Sequence, residues 1–392
     1  MRPLDYLKAA TYNYVSGPLL QKTTMWDLPS ADELVGDASG LTAIVTGPTS
    51  GIGEATTGVL ARNGAHGAGA NGRDAPGLVA PAFVLACRSQ SKGDALAARL
   101  ASEARAAGRP APSLEIMLLD LNSLESVRAF VAAWEARGRP LHLLINNAGL
   151  FHMGAGRSTT KDGLEAHMGT NHLAHFLLTL GLLPALRRGA ATDAGLRRLG
   201  GARVVHVASS MLMFGRGLAC DDPTMELPGS YSAEVAYGRS KLAQVLFARE
   251  LRRRLAEQAG DAQDPAAAAP PNKAGGVEGA PRVQAYAVHP GYVLTDVVRS
   301  LPAVVQRAYR LLMARILLTP EQGSRATLKA ACSPTAWRDS LPTGGFFNCD
   351  AKPAVLSDTV LDDKTAAWLW DWSARQVKLP ADWDLPARRG AS

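Results

Sequence analysis

An α/β fold, built as one doubly wound domain with a parallel sheet of about seven strands and helices on both faces, is predicted by three observations. Short apolar runs alternate with longer stretches of helical period through most of the 392 residues, as repeated βαβ units do. A glycine-rich turn joins the first apolar run to the first helical one. A carboxylate, amides and hydroxyls then fall at the carboxyl ends of later runs, where such a sheet presents its ligand crevice.

The bulk numbers are those of an ordinary globular protein, with 47% apolar and 20% charged residues and enough length to bury a core. No apolar stretch reaches the roughly eighteen residues of a membrane-spanning helix. The net charge of +7 is spread over scattered arginines, with no basic run interleaved with aromatics, which argues against nucleic acid as a partner. Attraction to anionic lipid or to a phosphorylated cofactor fits the same charge. Cys87, Cys220, Cys332 and Cys349 stand far apart, against a metal site or a disulfide framework. Cysteines so used suit a reducing, intracellular compartment, either cytoplasm or the face of an organelle membrane.

An N-terminal arm is expected over 1–37. It lacks the continuous apolar core of a secretion signal, but Leu4, Leu7, Tyr14 and Val15 beside Lys8 make a weakly amphipathic pattern. Such an arm is frayed or docked, or it touches a membrane peripherally. The domain proper is assigned to 38–355. Its strands are expected at 41–45, 82–87, 114–121, 141–145, 203–208 and 283–288, each a near-continuous apolar run, as a strand covered on both faces requires. Its helices are expected at 51–63, 91–107, 123–137, 161–188 and 232–258. Two segments rich in small residues, 64–81 and 260–281, lack the apolar content to pack and read as surface insertions or as mispredicted exon boundaries. Over 297–318, Val297, Leu301, Val304, Val305, Ala308, Leu311 and Leu312 recur at helical spacing among Arg299, Arg307, Arg310 and Arg315. This is either a lid helix packed on the core or a lipophilic, basic surface that meets membrane and shelters an apolar substrate. The last section, 356–392, holds Trp368, Trp370, Trp372 and Trp383, expected to pack a final helix.

The first strand leads into Thr46-Gly47-Pro48-Thr49-Ser50-Gly51-Ile52-Gly53. The glycines allow a tight turn, a close approach of backbone N–H groups to a ligand, and close helix packing. The helix that follows aims unpaired N–H donors and a positive dipole end at a pyrophosphate site. A purely structural turn would use the same glycines, so the chemistry has to be sought further along. Tyr237 and Lys241 lie four apart in the helix 232–258, so both side chains leave one face. An ammonium there is expected to lower the phenol's pKa and make it a general acid/base. Ser209 and Ser210 end the fifth strand, where a hydroxyl can hydrogen-bond a substrate oxygen. Asn146-Asn147-Ala148-Gly149 ends the fourth strand with small residues and amides, against which a flat ligand can lie. Asp120-Leu121 ends the third with a carboxylate placed to accept from an exocyclic amine such as adenine's. Asn171, inside the helix 161–188, either holds a water or a lysine or is simply satisfied at the surface. His172, His175 and His206 lack a third ligand at metal spacing and read as structural, so no metal is expected.

Taken together, the turn 46–53, Asp120, Asn146 to Gly149, Asn171, Ser210, Tyr237 with Lys241, and Pro290-Gly291 resemble the short-chain dehydrogenase/reductase family, which builds on a Rossmann domain. The Gly-x-x-x-Gly-x-Gly spacing is similar to that of its oxidoreductase branch. Asn171-His172-Leu173-Ala174-His175-Phe176 and His289-Pro290-Gly291-Tyr292-Val293-Leu294-Thr295-Asp296 resemble the retinol dehydrogenase-like group. The whole core is similar to the plant Forever Young dehydrogenase/reductase and the animal polyprenol dehydrogenases. The resemblance implies Asn171, Ser210, Tyr237 and Lys241 as the catalytic set. Tyr237 would exchange the proton, Lys241 would tune it and hold the nicotinamide ribose, Ser210 would orient the substrate oxygen, and Asn171 would anchor a water relay to Lys241. It further implies cofactor contacts from Gly47, Thr49, Ser50, Gly51, Ile52, Gly53, Arg88, Asp120, Leu121, Asn147, Tyr237, Lys241 and Thr295. Two insertions and a long gap from Ser210 to Tyr237 depart from the family pattern.

Charge selects the dinucleotide. The second strand ends in Cys87-Arg88-Ser89, and a guanidinium suits a 2'-phosphate where an acidic residue would repel it. The expected cofactor is therefore NADP. Leu150, Phe151, Met153 and the run from Met211 to Phe214 flank the site and suit an apolar alcohol, aldehyde or ketone of retinoid, polyprenoid, steroid or fatty type. The alternative is a cofactor-binding regulatory or scaffold protein with the same fold and little turnover. A homodimer is left open.

Overall fold

The computed structural model describes residues 17–21, 28–63, 83–152, 154–215, 217–258, 283–294, 313, 315–340, 343–356, 362–380 and 383. The amphipathic positions of the arm, both insertions, Met153, Thr295 and residues 297–312 lie outside them. Seven strands form one sheet: β1 (Ala43–Thr46), β2 (Phe83–Cys87), β3 (Leu114–Leu118), β4 (Leu143–Asn146), β5 (Ala202–Val207), β6 (Val283–Val288) and β7 (Phe346–Phe347). Their order is β3-β2-β1-β4-β5-β6-β7 and every neighbouring pair is parallel. The winding reverses between β1 and β4, the switch point at which such sheets open a crevice for ligands.

The helices are α1 (Gly17–Gln21), α2 (Ala31–Val35), α3 (Gly51–Arg62), α4 (Gln90–Ala106), α5 (Leu124–Glu135), α6 (Ala174–Gly181), α7 (Leu183–Ala190), α8 (Ala233–Gln258), α9 (Pro320–Cys332), α10 (Ala336–Asp339) and α11 (Asp363–Gln376). They cover both faces of the sheet, because successive strand residues point to opposite sides. Ile44, Leu144, Val204 and Ala285 face one layer, where Phe130, Phe176, Phe247 and Trp370 from α5, α6, α8 and α11 close a core. Ala43, Val45, Leu143, Ile145 and Val205 face the other layer, against α2, α3 and α9. Every residue of β1, β2, β4 and β5 is buried, which is why these strands are mostly apolar, with Thr46, Asn146, Arg203 and His206 as buried polar members. Local signals agree with the ends. Thr319 and Gln322 form a reciprocal cap at the start of α9 with Pro320 at its first turn, and Asp362 caps α11.

The expected single helix 161–188 does not form. Residues 159–165 make a tight turn closed by an antiparallel bridge between Thr159 and Glu165. A π-helical turn follows over Met168–Leu173, and α6 and α7 then meet at a break with Pro184 at the start of α7. Gly163 takes a positive φ of 77°, which a right-handed helix cannot use. The run from Phe176 to Leu180 is buried on all sides, so hydropathy continues across the break and conceals it.

The described part of the arm is docked. Gln21 is buried and hydrogen-bonds the backbone at Tyr292 and Ile316. All four cysteines are free thiols, with only Cys220 exposed. Among the described residues, no helix is long and apolar enough to cross a membrane.

Candidate active site

The crevice at the carboxyl ends of β1 and β4 is shaped by Thr46 and Asn147. The Thr46 hydroxyl accepts the N–H groups of Asn147 and Ala148, both at 3.0 Å, and meets His175 Nε2 at 3.0 Å. Asn147 Nδ2 donates to the Thr46 carbonyl at 3.0 Å, so this side chain staples the glycine turn to β4 rather than reaching outward. Gly47 holds a φ of +63°, and a Cβ on Gly53 would lie 2.3 Å from the Gly47 carbonyl oxygen and 2.4 Å from Asn147 Nδ2. Neither glycine tolerates a side chain; the Gly47 N–H is given to the Ala86 carbonyl at 3.0 Å, and the turn leads directly into the N-terminus of α3. Ser50 precedes α3 in extended conformation with no side-chain cap bond, leaving an exposed hydroxyl beside Gly51, while Thr49 and Ile52 are partly exposed.

Arg88, exposed just past β2, lies within electrostatic reach of Asp120 past β3. The Asp120 carboxylate already has partners: Lys161 Nζ donates to it at 2.9 Å and the Asn122 N–H at 3.1 Å. Burial alone would raise its pKa, but these donors and the nearby Arg88 hold it below the usual carboxylate range. Leu121 beside it is buried and contributes shape only.

At the opposite end, α8 carries Tyr237 and Lys241. Lys241 Nζ sits 5.5 Å from the centre of the Tyr237 ring and donates to the Val207 carbonyl at 2.8 Å and to Gln244 Oε1 at 3.1 Å. Gln244 Nε2 in turn donates to the Asn171 carbonyl at 2.7 Å, so an amide side chain spans the gap in which a water relay is expected. The π turn presents that carbonyl. The Asn171 side chain accepts the Leu150 N–H at 2.7 Å and donates to Ser240 Oγ at 2.9 Å, joining β4's loop to α8. A Cβ on Gly149 would come within 3.3 Å of Lys241 Nζ, so glycine keeps the space before the ammonium clear.

The two serines at the end of β5 have different partners. The Ser209 hydroxyl accepts the Met211 N–H at 3.2 Å and lies close enough to the Tyr237 phenol to pull its pKa down. Ser210 donates instead to the Tyr292 phenol at 3.0 Å, and its N–H donates to His289 Nδ1 at 3.1 Å. Phe151 stacks on Tyr237 with ring centres 4.5 Å apart. Behind it, the buried pair of Glu165 and His167, 2.9 Å apart, accepts the His152 N–H through His167 Nε2 and so fixes the loop that carries Phe151.

The electrostatics overturn one expectation. Burial pushes the Tyr237 phenol up to about 12, with the Ser209 bond pulling the other way, and burial brings Lys241 down to about 7. The net direction for the phenol is upward because desolvation, which disfavours the phenolate, is the largest effect on it, and desolvation likewise disfavours the charged form of Lys241. Tyr237 keeps some contact with solvent, and the upward direction is what matters for its chemistry. His172, His175 and His206 are buried, their pKa values held low by burial, and they bond Ser373, Thr46 and Asn146.

Ser240, Gln244, His167 and Glu165 were missing from the expected site, and Tyr292 entered it only as part of a motif. Ser240 and Gln244 share the helical face of Tyr237 at three and seven residues' distance, a signal that spacing offers. The other contacts join segments far apart in the chain and have no local signature. Thr295 lies outside the described residues.

A profile of the family described as "short chain dehydrogenase" matches residues 41–213. A dehydrogenase/reductase named FEY from Arabidopsis thaliana is 32% identical over 91% of this chain and 81% of its own length. Retinol dehydrogenase 14 of Mus musculus is 32% identical over 86% of each chain, and polyprenol dehydrogenase of the same organism 34% identical over 84% and 82%. The crystal structure of an uncharacterised Mycobacterium paratuberculosis protein superposes with a TM-score of 0.60 at 28% identity, covering 92% of this chain and 99% of that one. With the parallel seven-stranded sheet, the bare glycine turn and the Tyr237–Lys241 helix in one crevice, the chain belongs to the short-chain dehydrogenase/reductase family.

Proposed function

We propose that the protein is an NADP(H)-dependent oxidoreductase that interconverts an alcohol and a carbonyl on an apolar, retinoid-, polyprenoid- or steroid-like substrate, with residues 38–355 as its catalytic domain. The observation that carries this reading is the convergence of Tyr237, Lys241, Ser209, Ser210 and Asn171 at the carboxyl end of the sheet, beyond a glycine turn that admits no side chain. The names of the relatives support the substrate class.

The cradle fits a phosphorylated dinucleotide. The turn 47–53 would hold its pyrophosphate, Arg88 its 2'-phosphate, Asp120 and Leu121 the adenine edge, and Lys241 its nicotinamide ribose. When bound, the nicotinamide supplies or accepts the hydride. The protein's own share is proton transfer and positioning. With its phenol pushed up by burial, Tyr237 is protonated at neutral pH and suited to give a proton to a carbonyl oxygen. Ser209 and Ser210 orient that oxygen, and Phe151 with Leu150 screens the site from water.

Purified protein should consume NADPH with retinal, a polyprenal or a steroid ketone, and Arg88→Asp should erode the preference for NADPH over NADH by at least about tenfold. An unchanged preference removes Arg88 from the cofactor site, and absent turnover across the panel removes the enzymatic reading.

A further inference from the structure

Gln21 belongs to the arm, before the first strand and outside the stretch matched by the family profile. It is 5% exposed, and its carboxamide is used as a peptide group would be. Nε2 donates to the Tyr292 carbonyl at 3.1 Å and to the Ile316 carbonyl at 3.2 Å, while Oε1 accepts the Tyr292 N–H at 2.8 Å. The two segments so joined also bond each other, with Leu318 N–H to the Tyr292 carbonyl at 2.9 Å and Leu294 N–H to the Leu318 carbonyl at 2.8 Å. Gly291 completes the fit. Its φ is +87°, and a Cβ there would lie 2.9 Å from Gln21 Oε1 and 2.6 Å from a Leu318 methyl.

Tyr292 connects this bracket to the chemistry, since its phenol accepts the hydroxyl of Ser210 at 3.0 Å and its ring sits edge-on to His289 at 5.6 Å. We propose that Gln21 is a positioning residue for the oxygen-binding end of the site: it fixes Tyr292, and Tyr292 fixes the direction in which Ser210 presents its hydroxyl. This rests on the oxidoreductase reading given above. Gln21 is then a working part of the active site. The side chain makes the link because a glutamine offers one acceptor and two donors in a plane, matching the three backbone groups it meets. Leucine has the bulk without the polar atoms. Glutamate keeps an acceptor for the Tyr292 N–H and loses both donors.

The test uses the full chain as wild type, Gln21→Leu, Gln21→Glu, Tyr292→Phe and the Gln21→Leu/Tyr292→Phe double variant. Amide hydrogen exchange at Tyr292 and Leu318 reads the bracket, and NADPH titration confirms that the cofactor end is intact. Gln21→Leu should speed exchange at Tyr292 by about tenfold or more. It should also lower kcat/KM for the carbonyl substrate on the order of 10- to 100-fold with NADPH affinity kept, as small misplacements of orienting groups do. Gln21→Glu should fall between. In the Tyr292→Phe background the further loss should shrink to less than about twofold, because the two residues act through one contact. Unchanged exchange overturns the bracket. Faster exchange with unchanged kcat/KM, or full additivity in the double variant, overturns the positioning role and leaves Gln21 structural. A wild type without turnover refutes the oxidoreductase reading, and the exchange data then judge the bracket separately. If Gln21→Leu does not fold, Gln21→Glu carries the same comparisons.

Discussion

Three residues decide how the site behaves. Tyr237, held near 12 by burial, is the protonated partner through the neutral range. Carbonyl reduction should therefore be flat with respect to this group between about pH 6 and 9, whereas alcohol oxidation, which needs the phenolate, should rise by nearly tenfold per pH unit. Steady-state profiles in both directions check this; an oxidation rate independent of pH contradicts it. Lys241 has the opposite shift, from 10.5 down to about 7. The unfolded chain therefore binds a proton that the native state has released, and this group's contribution to stability rises with pH between those values and is lacking below about 7. Urea unfolding of wild type against Lys241→Met should show a stability difference that drifts by up to about 1.4 kcal/mol per pH unit across this window. Parallel curves would mean that Lys241 titrates normally. Gly53 is the third. Its Cβ position collides with fixed backbone, so Gly53→Ala should cost at least about 1–3 kcal/mol and weaken NADPH binding. Calorimetry and dinucleotide titration read both effects, and a variant with wild-type affinity would show that the turn yields easily.

At the scale of elements, the strands were legible because buried strands are mostly apolar, and 283–288 falls where expected even with Gln284 inside it. The helix expected at 161–188 was not, since a uniformly buried stretch has no period to break. The Asn171 carbonyl in the π turn takes a bond from Gln244, 73 residues away, as well as one with His175 in the next turn, and no local propensity encodes the first. The site divides the same way. The glycine turn and the Tyr237–Lys241 face declare themselves by spacing. The pairing of Ser209 with Tyr237 and of Ser210 with Tyr292 depends on where β5 ends relative to distant loops. The closing helix α11 makes an energetic case of its own. Trp370 lies edge-on to Phe176 at 5.3 Å, beside Phe247 at 5.7 Å, with the Arg254 guanidinium over its ring at 4.3 Å. Trp370→Ala should cost about 3–5 kcal/mol in chemical denaturation while leaving dinucleotide affinity within about twofold in the folded fraction. A loss under 1 kcal/mol would make α11 an accessory.

For the whole molecule, one sheet positions both ends of the candidate site. Its β1–β4 switch opens a crevice, and the ends of β4 and β5 with the first turns of α8 bring the Tyr237 phenol, Lys241 and the hydroxyls of Ser209 and Ser210 to its far side. The central claim is that Tyr237 moves the proton in a reaction that the rest of the crevice only positions. Tyr237→Phe keeps the ring stacked under Phe151 and removes only the hydroxyl. The most direct measurement is single-turnover oxidation of bound NADPH by an apolar aldehyde, in wild type and Tyr237→Phe, with dinucleotide affinity measured on the same samples. The account expects a rate lower by roughly 10²- to 10⁴-fold at unchanged affinity. Equal rates in the two proteins would contradict it.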